Sequence, residues 1–134
     1  MVYITKRMDF SAAHRLYNPN LSDEENELIY DKCNNYNGHG HNYFLEVTVC
    51  GEPDPKTGYL MDLKKLKKLL NDEIIDKVDH KHLNFDVEFM RDIIPTVENL
   101  CIAFWNILKD KLPNGELYEI KLFETPNSWV SYRG

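Results

Sequence analysis

Two segments of this chain alternate between apolar and polar residues over about a dozen positions each, which is the pattern of a β-strand with one buried face. We predict one strand at the N-terminus and a second from about His39 to Cys50, paired antiparallel with the first. One face of the first strand would carry Val2, Ile4, Met8, Phe10, Ala12 and His14, with Lys6 as an exception, and one face of the second His39, His41, Tyr43, Leu45, Val47 and Val49. Such a chain must build its core on a sheet.

The rest of the chain adds helices and a second pair of strands. Ser22 and Glu25 predict a capping box that begins a short helix, through about residue 30, in the long loop between the first strands. Asp62 and Thr96 predict the starts of two longer helices, because each precedes apolar residues at helical spacing. A short strand is predicted at residues 59–61 and two longer ones at 117–124 and 128–133. The main order, β-β-α-α-β-β, predicts an α+β fold with an antiparallel sheet and both helices on one face.

The composition narrows the class of protein. The chain of 134 residues fits a single domain, residues 1–134. Its 22 acidic and 16 basic residues give a net charge of -6, which argues against a nucleic-acid or membrane partner. No apolar run approaches a membrane span, and the first ten residues, MVYITKRMDF, carry charges where a signal peptide would be apolar. The three cysteines are far apart and form no CxxC motif, so we expect a cytoplasmic protein without a disulfide framework.

Three of the five histidines are expected to come together. His39 and His41 form an H-x-H pair on one strand, so that both rings project to the same side. His14 ends the neighbouring strand, on the face that would lie beside them. Three neutral imidazoles with one open position are a typical ligand set of a catalytic Zn²⁺ ion. A packed core histidine is the alternative for each of them, and the pattern alone leaves it open.

Two further groups are candidates for moving protons. Cys33 lies in the polar segment KCNNYNG, six residues before the H-x-H pair, where Lys32 and a nearby metal would favour the thiolate form of a base or nucleophile. An inert loop cysteine is the alternative. Asp79 precedes His80, and a carboxylate beside an imidazole can fix its tautomer and raise its basicity. A histidine at a helix C-terminus would also be explained by the helix dipole. His82 is interpreted as a solvated neighbour.

Glu124 is the most informative carboxylate. It shares a face of the strand at residues 117–124 with three apolar side chains, and an acid on an apolar face needs a partner. A ligand with two adjacent N–H donors, arranged as in a guanidine, would satisfy it by a bidentate contact. A strand-end glutamate that reaches solvent is the alternative. Glu98 lies in the first turn of the second long helix, where the helix dipole alone would explain it.

Six motifs follow one another along the chain. The most specific is CNNYNGHGHNY at residues 33–43. The others are FSAAHRL at 10–16, LSDEEN at 21–26, VDHKHLN at 78–84, PTVEN at 95–99 and FETPN at 123–127. Together they resemble the 6-pyruvoyl-tetrahydropterin synthase family over nearly the whole chain.

The resemblance implies a role for each candidate residue. The zinc ligands of the family fall on His14, His39 and His41, and its catalytic cysteine falls on Cys33. The aspartate and histidine that work with the cysteine fall on Asp79 and His80. The glutamate that anchors the pterin falls on Glu124, and further positions that line the pterin pocket fall on Thr96 and Glu98. The implied reaction eliminates triphosphate from 7,8-dihydroneopterin triphosphate and gives 6-pyruvoyl-tetrahydropterin, in tetrahydrobiopterin biosynthesis. No redox cofactor is implied, because the redox change is internal to the substrate.

The resemblance also implies a fold and an assembly. The family fold is the T-fold, with four antiparallel strands and two helices in each subunit. Three subunits close a twelve-stranded barrel and two trimers stack into a homohexamer, which removes the open sheet edges of a lone subunit. The family active site lies at a subunit interface, so Cys33 and the Asp79–His80 pair would come from different chains.

Two other functions are open. The related 6-carboxy-tetrahydropterin synthases of queuosine biosynthesis share the zinc, the substrate and the pterin anchor, but their cysteine usually lies in a C-x3-H-G-H pattern. In this chain five residues separate Cys33 from His39, and the LSDEEN motif favours the pyruvoyl branch as well. The alternative from another class is a zinc-binding or pterin-binding module without lyase activity.

Overall fold

The long N-terminal hairpin indicated by the alternating pattern is the centre of the computed structural model, which describes residues 1–134. Strand β1, Val2–His14, pairs antiparallel with strand β2, His39–Gly51, in an unbroken register that ends with His14 opposite His39. The predicted buried face of the hairpin is confirmed from the middle of β1 onwards. On β2 the side chains of Tyr43, Leu45, Val47 and Val49 are all 0% exposed.

Three further strands complete a sheet with the order β3-β1-β2-β4-β5. Strands β4, Glu116–Thr125, and β5, Ser128–Tyr132, pair antiparallel, and β4 pairs antiparallel with β2. Strand β3, Lys81–His82, pairs parallel with β1 at Ala12 and Ala13. The sheet is therefore mixed, and the prediction of a purely antiparallel sheet is wrong in this respect. A strand of two residues is too short to leave a periodic pattern in the sequence.

A short helix lies in the long loop between the first two strands. Helix α1, Asp23–Tyr30, begins at the predicted capping box, in which the Ser22 hydroxyl accepts from the Glu25 N–H and the Glu25 carboxylate accepts from the Ser22 N–H. Its buried residue is Asn26, whose amide donates to the carbonyl oxygens of Asn18 and Ser22. Hydrogen bonds therefore hold this helix in place, since its apolar residues Leu28 and Ile29 are exposed.

Two longer helices cover one face of the sheet. Helix α2 begins as Leu63–Leu70, continues through a π-helical turn at Asn71–Ile75 and ends as Asp76–Val78, while helix α3 is Val97–Leu108. The predicted caps are confirmed, because Asp62 accepts from the Lys64 N–H and Thr96 from the Asn99 N–H. Their buried side chains join those of β2 and β4 in one core cluster of 22 residues, which confirms the α+β architecture.

Two details of the chain after β2 differ from the sequence prediction. The strand predicted at residues 59–61 is absent: this segment is a loop, and its Leu60 and Met61 side chains are buried in the core. The π-helical turn inserts a residue into the helical register, so that Ile74 and Ile75 are both buried.

None of the helices has the length and apolar character needed to cross a membrane.

Candidate metal centre and active site

The end of the β1–β2 hairpin brings three imidazole rings together. The ring nitrogens of His14, His39 and His41 that could hold a metal all lie within 4.8 Å of one another, and Nε2 of His14 is 3.0 Å from Nε2 of His39. The strand register causes this, because His14 lies opposite His39 and Ala12 lies opposite His41. The convergence expected from the H-x-H spacing is therefore present.

The backbone before helix α3 orients His14. Nδ1 of His14 lies 2.8 Å from the carbonyl oxygen of Pro95, to which it donates. This bond holds the proton on Nδ1 and leaves the lone pair of Nε2 directed at the other two histidines, so that Nε2 is the nitrogen free to bind a metal. Burial lowers the pKa of His14 to about 4, so its ring is neutral at pH 7. A neutral imidazole is the form that binds a metal.

Two buried ring nitrogens without hydrogen-bond partners indicate that the three histidines could hold a metal ion. Nε2 of His41 and Nδ1 of His39 are buried and have no hydrogen-bond partner. A buried nitrogen without a hydrogen-bond partner is energetically unfavourable, and a metal bound at Nε2 of His41 would give that atom a partner. Burial also lowers the pKa of His41, although the charge of Glu124 acts in the opposite direction. Three nitrogen ligands and no cysteine suit Zn²⁺ in an open, catalytic type of site.

Glu124 lies beside this cluster at the end of β4. Its Oε1 is 3.7 Å from Nε2 of His41, and its side chain is 28% exposed. The carboxylate is thus neither buried in the core nor free in solvent. An acceptor in this position can meet a ligand that lies over the imidazoles.

Cys33 lies close to the histidine cluster. It lies in a 3₁₀ turn, Asp31–Asn34, and lines a cavity of about 450 Å³ together with Lys32, Asn35 and His39. The other two cysteines, Cys50 and Cys101, are buried, and burial raises the pKa of the Cys101 thiol to about 12. Cys33 is therefore the thiol with access to a ligand at the histidine cluster.

The Asp79–His80 pair is formed, but it lies elsewhere. Oδ1 of Asp79 is 3.0 Å from Nδ1 of His80 and accepts the N–H of Ser11 at 2.9 Å. The bond from Ser11 is the main reason why the pKa of Asp79 is lowered. His80, 83% exposed, lines a different cavity of about 540 Å³ that includes Ser11 and Asn42. Ser11 and Asn42 lie on the sheet face opposite to the ligand histidines, but His41 lines this cavity as well. The pair is therefore near one ligand histidine and separate from the cavity that Cys33 lines.

The start of helix α3 lies next to the histidine cluster through the bond between Pro95 and His14. The Thr96 hydroxyl accepts from the Asn99 N–H at 3.2 Å and so serves as the helix cap. Glu98 is exposed in the first turn and forms no ion pair. Within one chain, therefore, the three histidines, Cys33, Glu124 and the segment at Thr96 cluster at one end of the sheet.

Two features next to the site differ from the sequence analysis or lie outside it. His82 is partly buried: its ring packs against that of Phe85 at a tilt of 34° with centroids 4.4 Å apart, and its Nδ1 accepts from the Asn84 N–H. It is thus a packed residue beside β1, and the interpretation as a solvated neighbour is wrong. The carbonyl of Pro95 acts through the backbone, and no side-chain pattern reveals such a contact.

The comparisons with known proteins agree with this geometry. A family model described as 6-pyruvoyl tetrahydropterin synthase matches residues 3–134. The 6-pyruvoyl tetrahydrobiopterin synthase of Homo sapiens is 49% identical over 131 residues, covering 98% of this chain and 90% of the human one. The solved structure of the Caenorhabditis elegans 6-pyruvoyl tetrahydropterin synthase superposes with a TM-score of 0.94 at 44% identity, covering 99% of this chain and 95% of that one. A 6-carboxy-5,6,7,8-tetrahydropterin synthase of Rickettsia bellii is 27% identical over 149 residues, covering 97% of this chain and 99% of that protein.

Proposed function

Since this chain belongs to the 6-pyruvoyl tetrahydropterin synthase family, we propose that it is a zinc-dependent lyase that converts 7,8-dihydroneopterin triphosphate into 6-pyruvoyl-tetrahydropterin and triphosphate. The observation that carries the proposal is the cluster of three histidines, one of which, His39, lines a cavity together with Cys33. The full-length relatives at 44–49% identity carry pyruvoyl synthase names, whereas the carboxy synthase of Rickettsia bellii is 27% identical.

His14, His39 and His41 would hold the zinc ion through their ring nitrogens. When bound there, zinc would act as a Lewis acid toward the hydroxyl groups of the substrate side chain. The protein prepares its ligands in advance, because burial keeps His14 neutral and the Pro95 carbonyl fixes its tautomer. This preparation lowers the cost of ordering the site when the metal binds.

The elimination removes a proton from a side-chain carbon and breaks the bond between carbon and the triphosphate oxygen. Cys33 is the group in the His39 cavity that can take this proton as a thiolate. The Asp79–His80 pair would exchange protons with the side-chain hydroxyls. Its geometry suits that task, since the Asp79 carboxylate accepts from Nδ1 of His80 and leaves Nε2 available.

Glu124 would anchor the pterin. The 2-amino-pyrimidinone edge of a pterin presents two adjacent N–H donors, which match the two oxygens of one carboxylate. With Glu124 beside His41, a pterin bound to it would direct its side chain at the histidine cluster. Thr96 and Glu98 would line the same pocket at the start of α3.

We also propose that the active protein is a cytoplasmic homohexamer, a dimer of trimers. His80 and Cys33 line different cavities of one chain, so a site that combines them would take these two groups from different chains. The sheet has open edges, because β3 covers β1 only at Ala12 and Ala13 and β5 has one neighbour. Tyr3 on β1 and Trp129 on β5 are each 54% exposed, as expected for edges that pair with another copy.

Product analysis tests the proposal. The purified, zinc-loaded protein is incubated with 7,8-dihydroneopterin triphosphate, and the products are identified by mass. We expect 6-pyruvoyl-tetrahydropterin and free triphosphate. Acetaldehyde with 6-carboxy-tetrahydropterin would instead establish the carboxy synthase. Bound zinc without triphosphate release would establish a binding module.

A further inference from the structure

The turn that carries Cys33 is attached to the end of β1 at two points. The N–H of Leu16 donates to the carbonyl oxygen of Cys33 at 2.9 Å, and Nε of Arg15 donates to the carbonyl oxygen of Asn34 at 3.0 Å. The turn buries none of its own residues, so packing in the core does not fix it. A bond from a charged donor is about twice as strong as a neutral one. The Arg15 bond is therefore the stronger of the two attachments.

Two tyrosine rings fix the guanidinium of Arg15. The guanidinium carbon lies 4.3 Å from the ring centroid of Tyr17 and 5.3 Å from that of Tyr36, both within the range of cation–π contacts. A planar guanidinium stacks on rings while its edge donates a hydrogen bond, which a lysine ammonium cannot do in the same geometry. Tyr36 is 79% exposed, so removing its ring does not disturb the core.

The backbone of Arg15 is held as firmly as its side chain. The Asn84 side chain accepts from the Arg15 N–H at 2.8 Å and donates to the Arg15 carbonyl oxygen at 2.9 Å. A basic residue one position from His14 would suit a binding role for the triphosphate, but Nε of Arg15 is already used within the protein. Its contacts are those of a residue that orders a turn.

We propose that Arg15 is a positioning residue for Cys33, which holds the turn Asp31–Asn34 against the end of β1 so that the thiol faces the ligand at the histidine cluster. This inference rests on the proposed function, which assigns the proton transfer to Cys33. Misplacing a catalytic group by about 1 Å can cost about 100-fold in rate. The clamp formed by Arg15, Tyr17 and Tyr36 would prevent such a displacement.

Arg15→Met tests the clamp, because methionine keeps an unbranched apolar stem without the charge or the donor. We expect kcat to fall at least about tenfold with KM changed less than about twofold and with the zinc content unchanged. In the substrate-free protein, hydrogen exchange of the Leu16 amide, which bonds to Cys33, should become at least about threefold faster. The inhibition constant of inorganic triphosphate should stay the same.

Arg7→Met is the matched control. Arg7 lies on β1, eight residues before Arg15, with its guanidinium over Phe44 and Phe123, at 4.5 and 5.4 Å, but it makes no contact with the turn. It should leave both kcat and the exchange of the Leu16 amide unchanged. Tyr36→Ala removes an exposed ring without risk to folding and should give a smaller change in the same direction as Arg15→Met, whereas Tyr36→Phe should match the wild type.

Specific results would overturn the inference. A raised inhibition constant for triphosphate with unchanged exchange would make Arg15 a phosphate-binding residue. Loss of zinc in Arg15→Met would place its effect on His14 instead of Cys33. If the wild-type protein releases no triphosphate, the proposed function is wrong, and so is the role of the clamp in turnover. The hydrogen-exchange experiment needs no substrate, so it would still show whether Arg15 holds the turn in place.

Discussion

Gly38→Ala should destabilise the fold and weaken metal binding, because position 38 has no space for a side chain. Gly38 directly precedes β2 and has a φ of 78°, in the left-handed region. A Cβ atom there would lie 2.8 Å from the carbonyl oxygen of His14 and 2.9 Å from Nε2 of His82. A backbone carbonyl cannot rotate away as a side chain can. The displacement must therefore be taken up by the chain around His14 and His39, two of the three candidate ligands.

Two contributions add in the free energy of unfolding that Gly38→Ala should lose. The left-handed conformation costs an L-residue about 1–2 kcal/mol. Forcing a methyl group into a filled space costs about 1–3 kcal/mol more. We expect Gly38→Ala to lose about 2–5 kcal/mol in total. Disturbed orientation of a ligand typically lowers metal affinity about 10–100-fold, and we expect a loss of zinc affinity in that range.

Gly58→Ala separates the two terms. Gly58 has a similar φ of 75°, but an added Cβ would meet no atom within 4 Å. It should lose only the conformational term, about 1–2 kcal/mol, and keep its zinc affinity. Denaturant unfolding of the metal-free proteins measures stability, and competition with a chelator measures affinity. Equal losses of stability in the two variants would show that the clash at position 38 has no cost, and an unchanged zinc affinity in Gly38→Ala would show that the ligands are not displaced.

Three further substitutions separate the roles assigned to the site. Cys33→Ala should keep its zinc and lose turnover about 10²–10⁴-fold, as on removal of a general base, and normal turnover beside an unchanged metal content would show that the base is another group. Thr96→Ala should lower the free energy of unfolding by about 1 kcal/mol through loss of the helix cap, whereas Thr96→Ser should not, and equal stability of the two in denaturant would contradict this. The Ser11 N–H lowers the pKa of Asp79 below its usual value, so the native carboxylate stabilises the fold above about pH 4 and this contribution is lost as the pH falls further. Asp79→Asn should therefore flatten the acid limb of the stability curve, and an unchanged limb would refute it.

The histidine cluster could be predicted from the sequence because it follows from strand geometry alone. In the unbroken register of β1 and β2, His14 lies opposite His39, and the alternation of side chains brings His41 to the same face. The helix caps at Ser22, Asp62 and Thr96 were also predictable, since each depends on a side chain next to its own backbone.

Features that depend on the path of a loop could not be predicted in this way. The pairing of β3 with β1 and the packing of His82 both result from where the chain runs after α2. The Pro95 carbonyl that orients His14 comes from a residue 81 positions away and leaves no side-chain signature. The π-helical turn at Asn71–Ile75, in which Ile74 and Ile75 are both buried, departs from the regular helical period of the apolar residues.

The central claim is that His14, His39 and His41 form the metal centre of a lyase that releases triphosphate. It is tested most directly by measuring triphosphate release from 7,8-dihydroneopterin triphosphate while zinc is added stepwise to metal-free protein. We expect activity to rise in proportion to bound zinc and to saturate at about one zinc per chain, as for a single three-histidine site. Full activity in the metal-free protein, or a metal-loaded His39→Ala variant with wild-type turnover, would contradict it.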